Sequence, residues 1–237
     1  MLGAVPTRAE TVNCTAITTL PAVITVQGVY CLTGNLATAI TTGNAIEIQT
    51  NNVVLDLNGF KLGGLAAGPG TGATGIHAAD RQNITIKNGT IRGFGEGIFL
   101  HDTGASQGHV VEDIRADQNT VVGIEVRGSG TIVRNNQVVA TGGCTVCGAN
   151  ASAFGISVVG VGPRVLNNDV INTFRQGTGT ARGIFLGGTA GLAVNNRITD
   201  ADTGILYFVG STGKYRDNIT VDVTTPYTDG TDIGNNN

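Results

Sequence analysis

The dipeptide Gly-Ile occurs six times along this chain, and each copy opens a short strand-like run. The copies are Gly75-Ile76, Gly97-Ile98, Gly123-Ile124, Gly155-Ile156, Gly183-Ile184 and Gly204-Ile205, with spacings of 22, 26, 32, 28 and 21 residues. Self-similarity at this period is the mark of a solenoid. Each unit is too small to bury a hydrophobic face alone, and stacking the units creates the core. Few other folds accommodate such a pattern.

The residues after each Gly-Ile set the register. Side chains alternate along a strand, so the Ile and the residue two further on share the inner face. That inner column reads Ala78, Leu100, Val126, Val158, Leu186 and Tyr207, all apolar. A second repeating element lies between the Gly-Ile strands, with Asn or Asp always in its middle position: Asn58, Asn88, Asp113, Asn135, Asn167, Asn195 and Asp217. These residues tolerate left-handed backbone, and stacked amides form ladders. They read as turns rather than as a binding site. Two strand elements per repeat, tight turns and no sustained helical periodicity predict an all-β, right-handed parallel β-helix of about eight to nine coils, at roughly 4.8 Å per coil. The expected organisation is one domain: an N-terminal cap and first coils over 1–48, coils over 49–224, and a C-terminal tail over 225–237 without a capping helix.

Composition narrows the function classes. Hydrophobic residues make up 41% and the net charge is -3, which excludes a disordered chain. Only three Lys stand against eleven Arg, and the mild acidity argues against nucleic acid. No apolar run is long enough for a membrane span. The start, MLGAVPTRAE, lacks the apolar core of a signal peptide. The even cysteine count nevertheless favours an oxidising compartment, and so a secreted or cell-surface protein whose signal lies outside this numbering. Cys14 and Cys31 bracket a short N-terminal stretch. Cys144 and Cys147 form a C-x-x-C in a Gly-rich insertion, where a structural disulfide is favoured over inert thiols, a zinc site or a redox pair, because partner motifs are missing.

Several stretches resemble secreted bacterial right-handed β-helix repeat proteins of the pectate-lyase-like superfamily. They are Asn52-Val53-Val54-Leu55-Asp56-Leu57-Asn58-Gly59, Asn88-Gly89-Thr90-Ile91-Arg92-Gly93-Phe94 and the Asn-rich end from Tyr227 to Asn236. The resemblance implies the fold over most of the chain. It leaves activity open, because that superfamily holds lyases, hydrolases, epimerases, tailspikes and adhesins, and fold does not imply function. The signatures Asn-Thr-Asp, Gly-His-Gly and Asp-Pro-His-Asp are absent.

Two candidate surfaces follow. The charge-dense middle places His101, Arg127 and Glu125 on one outward face, a base, a cation and a carboxylate within reach of each other. His77 lies two coils from Glu125 with Phe99 between them. The neighbouring column, Lys87, Glu112 and Arg134, alternates in sign and reads as cross-strand pairing. The second surface is an outward apolar strip: Phe99, Phe185 and Leu206 in one column, Val159 and Phe208 in the next. Such a strip marks an interface or a covered face, and three occupants are open: the chain itself (through the 141–154 insertion or the tail), another copy, or a glycan. Ordered ends, Met1-Leu2-Gly3 included, would fit end-to-end contacts between copies. The favoured role is a non-catalytic extracellular structural or adhesive protein that self-associates, as an oligomer or filament, or contacts surface polysaccharide. The alternative is a polysaccharide lyase or epimerase acting on acidic glycans through His101, Arg127 and Glu125. No metal or other cofactor is expected, except calcium in the lyase case.

Overall fold

The computed structural model describes residues 13–237, so the expectations placed on the first twelve residues, Met1-Leu2-Gly3 among them, fall outside the described part. The chain winds into a parallel solenoid with three strands per coil rather than the two expected. The first ladder carries the Gly-Ile strands, and its inner column stacks Ile24, Ile48, Ala78, Leu100, Val126, Val158, Leu186 and Tyr207 in register. The second ladder stacks Leu55, Ile86, Val111, Val133, Val165, Ala193 and Tyr215. The third stacks Leu62, Ile91, Ala116, Val138, Val170 and Ile198. These three columns form one continuous core. With Ile219–Thr228 paired beyond the last of these, the first ladder has nine rungs, in agreement with the expected coil count.

The third ladder escapes a sequence reading because it follows the second almost without a break. Ile84–Arg92 is a single extended segment that serves both, bent at Asn88 with φ of 59°. All seven Asn and Asp residues expected at turns have positive φ, between 50° and 59°. They are the corner between the second and third ladders.

The Gly-Ile signature has a steric cause. At each of these glycines an added Cβ would overlap the core or the next rung: it would lie 2.5 Å from Val138 Cγ1 at Gly123, 2.4 Å from Val170 Cγ1 at Gly155 and 2.4 Å from Ile198 Cγ2 at Gly183. The chain enters the first ladder at a bend where this position points inward, beside the side chains of the third. Ala45-Ile46 fills the same slot one coil earlier, with Ala45 fully buried.

Two amide ladders brace the corner. The outer one, Asn135–Asn167–Asn195, is the expected one, with side-chain bonds of 3.3 and 2.9 Å. The inner one occupies the next position, through Asn136, Asn168, Asn196, Asn218 and Asn236. The Nδ2 of each of the first four donates to the Oδ1 one coil on, at 3.0–3.1 Å. Each of the first four also donates to a carbonyl of the preceding coil, at 3.0–3.1 Å.

The domain boundary expected at 224/225 falls inside the strand Ile219–Thr228. The residues beyond it form a further coil rather than a tail, since Asn235 and Asn236 extend both ladders. At this end aromatic rings replace aliphatic core: Tyr207 stacks on Tyr215, and Tyr215 on Tyr227 with centroids 4.9 Å apart. The cysteines pair as Cys14–Cys31 and Cys144–Cys147.

Candidate functional site on the outer face of the Gly-Ile ladder

The residues of both candidate surfaces lie on one face. The central outward column reads Glu47, His77, Phe99, Glu125, Ser157, Phe185 and Leu206 in register. Seven rungs make a strip about 29 Å long. Beside it runs a second column. Arg127 pairs with Val159 and Val159 with Gly187. His101 continues it one residue beyond Leu100, and Phe208 one beyond Tyr207. On the other flank stand Asn44, Thr74, Glu96, Val122, Phe154, Arg182 and Thr203.

The N-terminal half of this face is ionic. Arg127 Nε donates to Glu125 Oε1 at 2.6 Å, and its guanidinium lies 5.4 Å from the centroid of Phe99. His77 Nδ1 lies 2.9 Å from Glu47 Oε2, and Asn44 donates to the same oxygen. His101 sets its edge against Phe99, with centroids 5.1 Å apart. Glu96 sits between Thr74 and Val122 of the adjacent coils and accepts a 3.4 Å bond from the Thr74 hydroxyl. Burial, and secondarily the nearby Glu125 carboxylate, push the Glu96 carboxyl above its usual range.

The C-terminal half is aromatic. Phe154, Phe185 and Phe208 follow one another at 5.7 and 5.9 Å between centroids. Arg182 lies over Phe154 at 4.9 Å. The halves meet in a shallow groove of about 380 Å³ whose walls include Asp102, Arg127, Val159, Phe185 and Phe208. Asp102 is held below the usual carboxylate range by the Ser106 backbone N–H, with Gly104 adding a second bond.

Among the described residues, neither segment expected to cover the strip lies over it. The 141–154 insertion turns to the corner before the Gly-Ile strands: Thr145 N–H donates to the Pro69 carbonyl, and Gln176 and Thr178 bond to Ala151 and Asn150. The C-terminal residues extend the solenoid, and Phe208 remains 58% exposed. The sign alternation of Lys87, Glu112 and Arg134 is present, but on the second ladder rather than in a column beside this face: Glu112 stands in register between Lys87 and Arg134, and Lys87 pairs further to Asp56 at 3.4 Å.

Sequence reasoning missed Glu47, Glu96, Phe154 and Arg182. Glu47 follows Ala45-Ile46, and the Gly-to-Ala change hides that coil's membership. Glu96, Phe154 and Arg182 immediately precede a Gly-Ile pair or its Gly, and the inward glycine sends them to the outer face. Among the described residues, no three His, Cys, Asp or Glu side chains converge as a cation site.

Residues 74–236 match the family model for the right handed beta helix region. The chain belongs to this right-handed β-helix family. Comparison with curated proteins finds no match. Among solved structures, it is similar to the Dettilon tailspike protein (TM-score 0.61, 16% identity, 86% of this chain and 42% of that one). It is also similar to the enzymatically active domain of bacteriophage CBA120 tailspike protein 2 (0.56, 17%, 93% and 38%). A third is an alginate lyase from Paenibacillus sp. str. FPU-7 (0.51, 13%, 89% and 86%). The chain spans about two fifths of either tailspike, and identities this low establish the shared fold alone. No helix among the described residues is long and apolar enough to cross a membrane.

Proposed function

We propose that this protein is an extracellular carbohydrate-binding β-helix that takes a polysaccharide strand along the outer face of the Gly-Ile ladder. One observation carries the reading: aromatic rings and ionic side chains line a single open strip along the solenoid axis, and they meet in a groove. A sugar presents apolar C–H faces and polar hydroxyls together. Apolar platforms with a few placed polar groups suit such a ligand. An alginate lyase is among the structures that share the fold, and two disulfides suit an oxidising compartment. Both support the reading.

The test is calorimetric titration of the full chain with alginate, polygalacturonate and dextran fragments. At least one should bind, and replacing both Phe185 and Phe208 by Ala should weaken it by at least about tenfold. Binding that ignores both substitutions, or no binding to any fragment, defeats the proposal. A second reading, self-association through the same strip, is favoured by the exposure of Phe208 together with its neighbour Val209 (80%). Light scattering on the wild type and the double variant decides it: a fixed oligomer that the substitutions dissolve supports assembly, and a wild-type monomer removes it.

A further inference from the structure

The outer face of the second ladder carries a separate feature. One of its outward columns runs Val29, Val54, Thr85, Val110 and Ile132 in register over the first rungs. It then changes character and continues as Arg164, Leu192, Lys214 and Thr231. These four line a groove of about 550 Å³ at the corner where the first ladder passes to the second, with Thr212 on its wall. Among the described residues, no carboxylate lines this groove, and neither Arg164 nor Lys214 forms an ion pair or a side-chain hydrogen bond. In the next outward column of the same ladder, by contrast, Lys87, Arg134 and Arg216 each have a carboxylate partner. Two unanswered, exposed cations therefore flank the half-buried Leu192, two rungs or about 9.6 Å apart along the axis. Side chains as long as Arg and Lys can bring both heads together over it.

We propose that this groove binds a phosphorylated sugar, with the phosphate held between Arg164 and Lys214. A phosphate monoester brings about 1.5 to 2 negative charges and three acceptor oxygens at neutral pH, enough to engage both cations at once. A carboxylate brings a single charge and would leave one cation unanswered. The Arg164 guanidinium offers a fork that takes two phosphate oxygens, and the Lys214 ammonium supplies a point charge for the third. Thr212 Oγ1 accepts the Ala190 N–H at 3.0 Å, so its own hydroxyl hydrogen is left for the ligand. The Thr231 hydroxyl stands exposed on the last rung of the column. The groove is larger than a phosphate needs. Leu192 gives it an apolar floor, and the wall at Gly162 is open, with nothing within 4 Å of an added Cβ. A sugar ring, apolar on its C–H faces and polar at its rim, suits that space. The groove shares no residue with the strip on the first ladder, so either face can bind without the other.

The experiment titrates the full chain at low ionic strength with glucose 6-phosphate, inorganic phosphate, glucuronate and glucose, each followed by calorimetry. Glucose 6-phosphate should bind at least about tenfold more tightly than any of the other three. Arg164→Gln and Lys214→Gln should each weaken it by at least about tenfold. Both variants should melt as the wild type does, because both side chains are exposed and outside the core. Replacing Phe185 and Phe208 together by Ala should leave this binding unchanged, which separates the groove from the strip. No binding of glucose 6-phosphate, or equal binding by the wild type and both groove variants, overturns the site. Inorganic phosphate that binds as tightly as the sugar phosphate reduces the groove to an adventitious ion only and overturns the sugar. Glucuronate that binds as tightly overturns the preference for phosphate. Binding lost in the Phe185 and Phe208 double variant moves the ligand to the strip and overturns the groove.

Discussion

A methyl group at Gly155 would sit 2.4 Å from Val170 Cγ1 and 2.7 Å from the Gly183 carbonyl, and neither atom has room to retreat inside a stacked core. Gly155→Ala should therefore destabilise the protein by about 1–3 kcal/mol, read as a lower urea midpoint. At the same scale, His109 is buried at 1% exposure with Nε2 lacking a hydrogen-bond partner and Nδ1 facing the Ile84 N–H. Burial pushes its pKa down to about 4, against a smaller opposing pull from Asp102. Above the ordinary histidine range both folded and unfolded chains hold the ring neutral. As pH falls below about 6.5 the unfolded chain takes up a proton that the folded chain refuses, so stability drops. Between pH 6.5 and 5 the loss should be about 2 kcal/mol, above the range where most carboxylates titrate. His109→Asn keeps an acceptor for Ile84 and removes the titration, so urea unfolding of that variant should be nearly flat across the same window.

At the scale of elements, the inner amide ladder turns one corner of the solenoid into a hydrogen-bonded column. Asn168 gives two bonds through Nδ2, to the Val133 carbonyl and to Asn196, and its Oδ1 accepts from both the backbone and the side chain of Asn136. Asn168→Ala strands buried donors on Asn136 and should cost about 3 kcal/mol, measured by chemical denaturation. Asn195→Ala, in the exposed ladder, should cost far less because water replaces the lost partner. The contrast separates the expected ladder from the one that bears on stability. The middle-position residues were legible because Asn and Asp at a fixed offset imply left-handed backbone. The inner ladder was harder to read, since its slot holds Gly59, Gly89 and Ile114 in the earlier coils and becomes Asn only from Asn136 onward. The third strand of each coil was hidden for a related reason: one left-handed residue turns the corner without interrupting the extended run.

At the scale of the molecule, stacking converts scattered residues into a surface. Phe99 and Phe185 are 86 positions apart in the chain and three rungs apart in the ladder. The Phe185 and Phe208 substitutions should therefore leave melting nearly unchanged, because both rings are outside the core, while glycan affinity falls at least about tenfold. A melting curve recorded with each binding isotherm checks this.

The repeat spacing, the inward column and the turn residues determined the solenoid, its register and the common face of His101, Arg127, Glu125 and the apolar strip. These features are periodic, and periodicity is local information. What the tertiary structure alone decided is less regular. It sent the insertion to the corner at Pro69 instead of over the strip, joined the chain's end to the ladders as another coil, and wedged Glu96 between Thr74 and Val122. A loop's path depends on which carbonyls and grooves it meets. The environment of a carboxyl depends on the neighbours that stacking places above and below it, and the repeat does not specify either one.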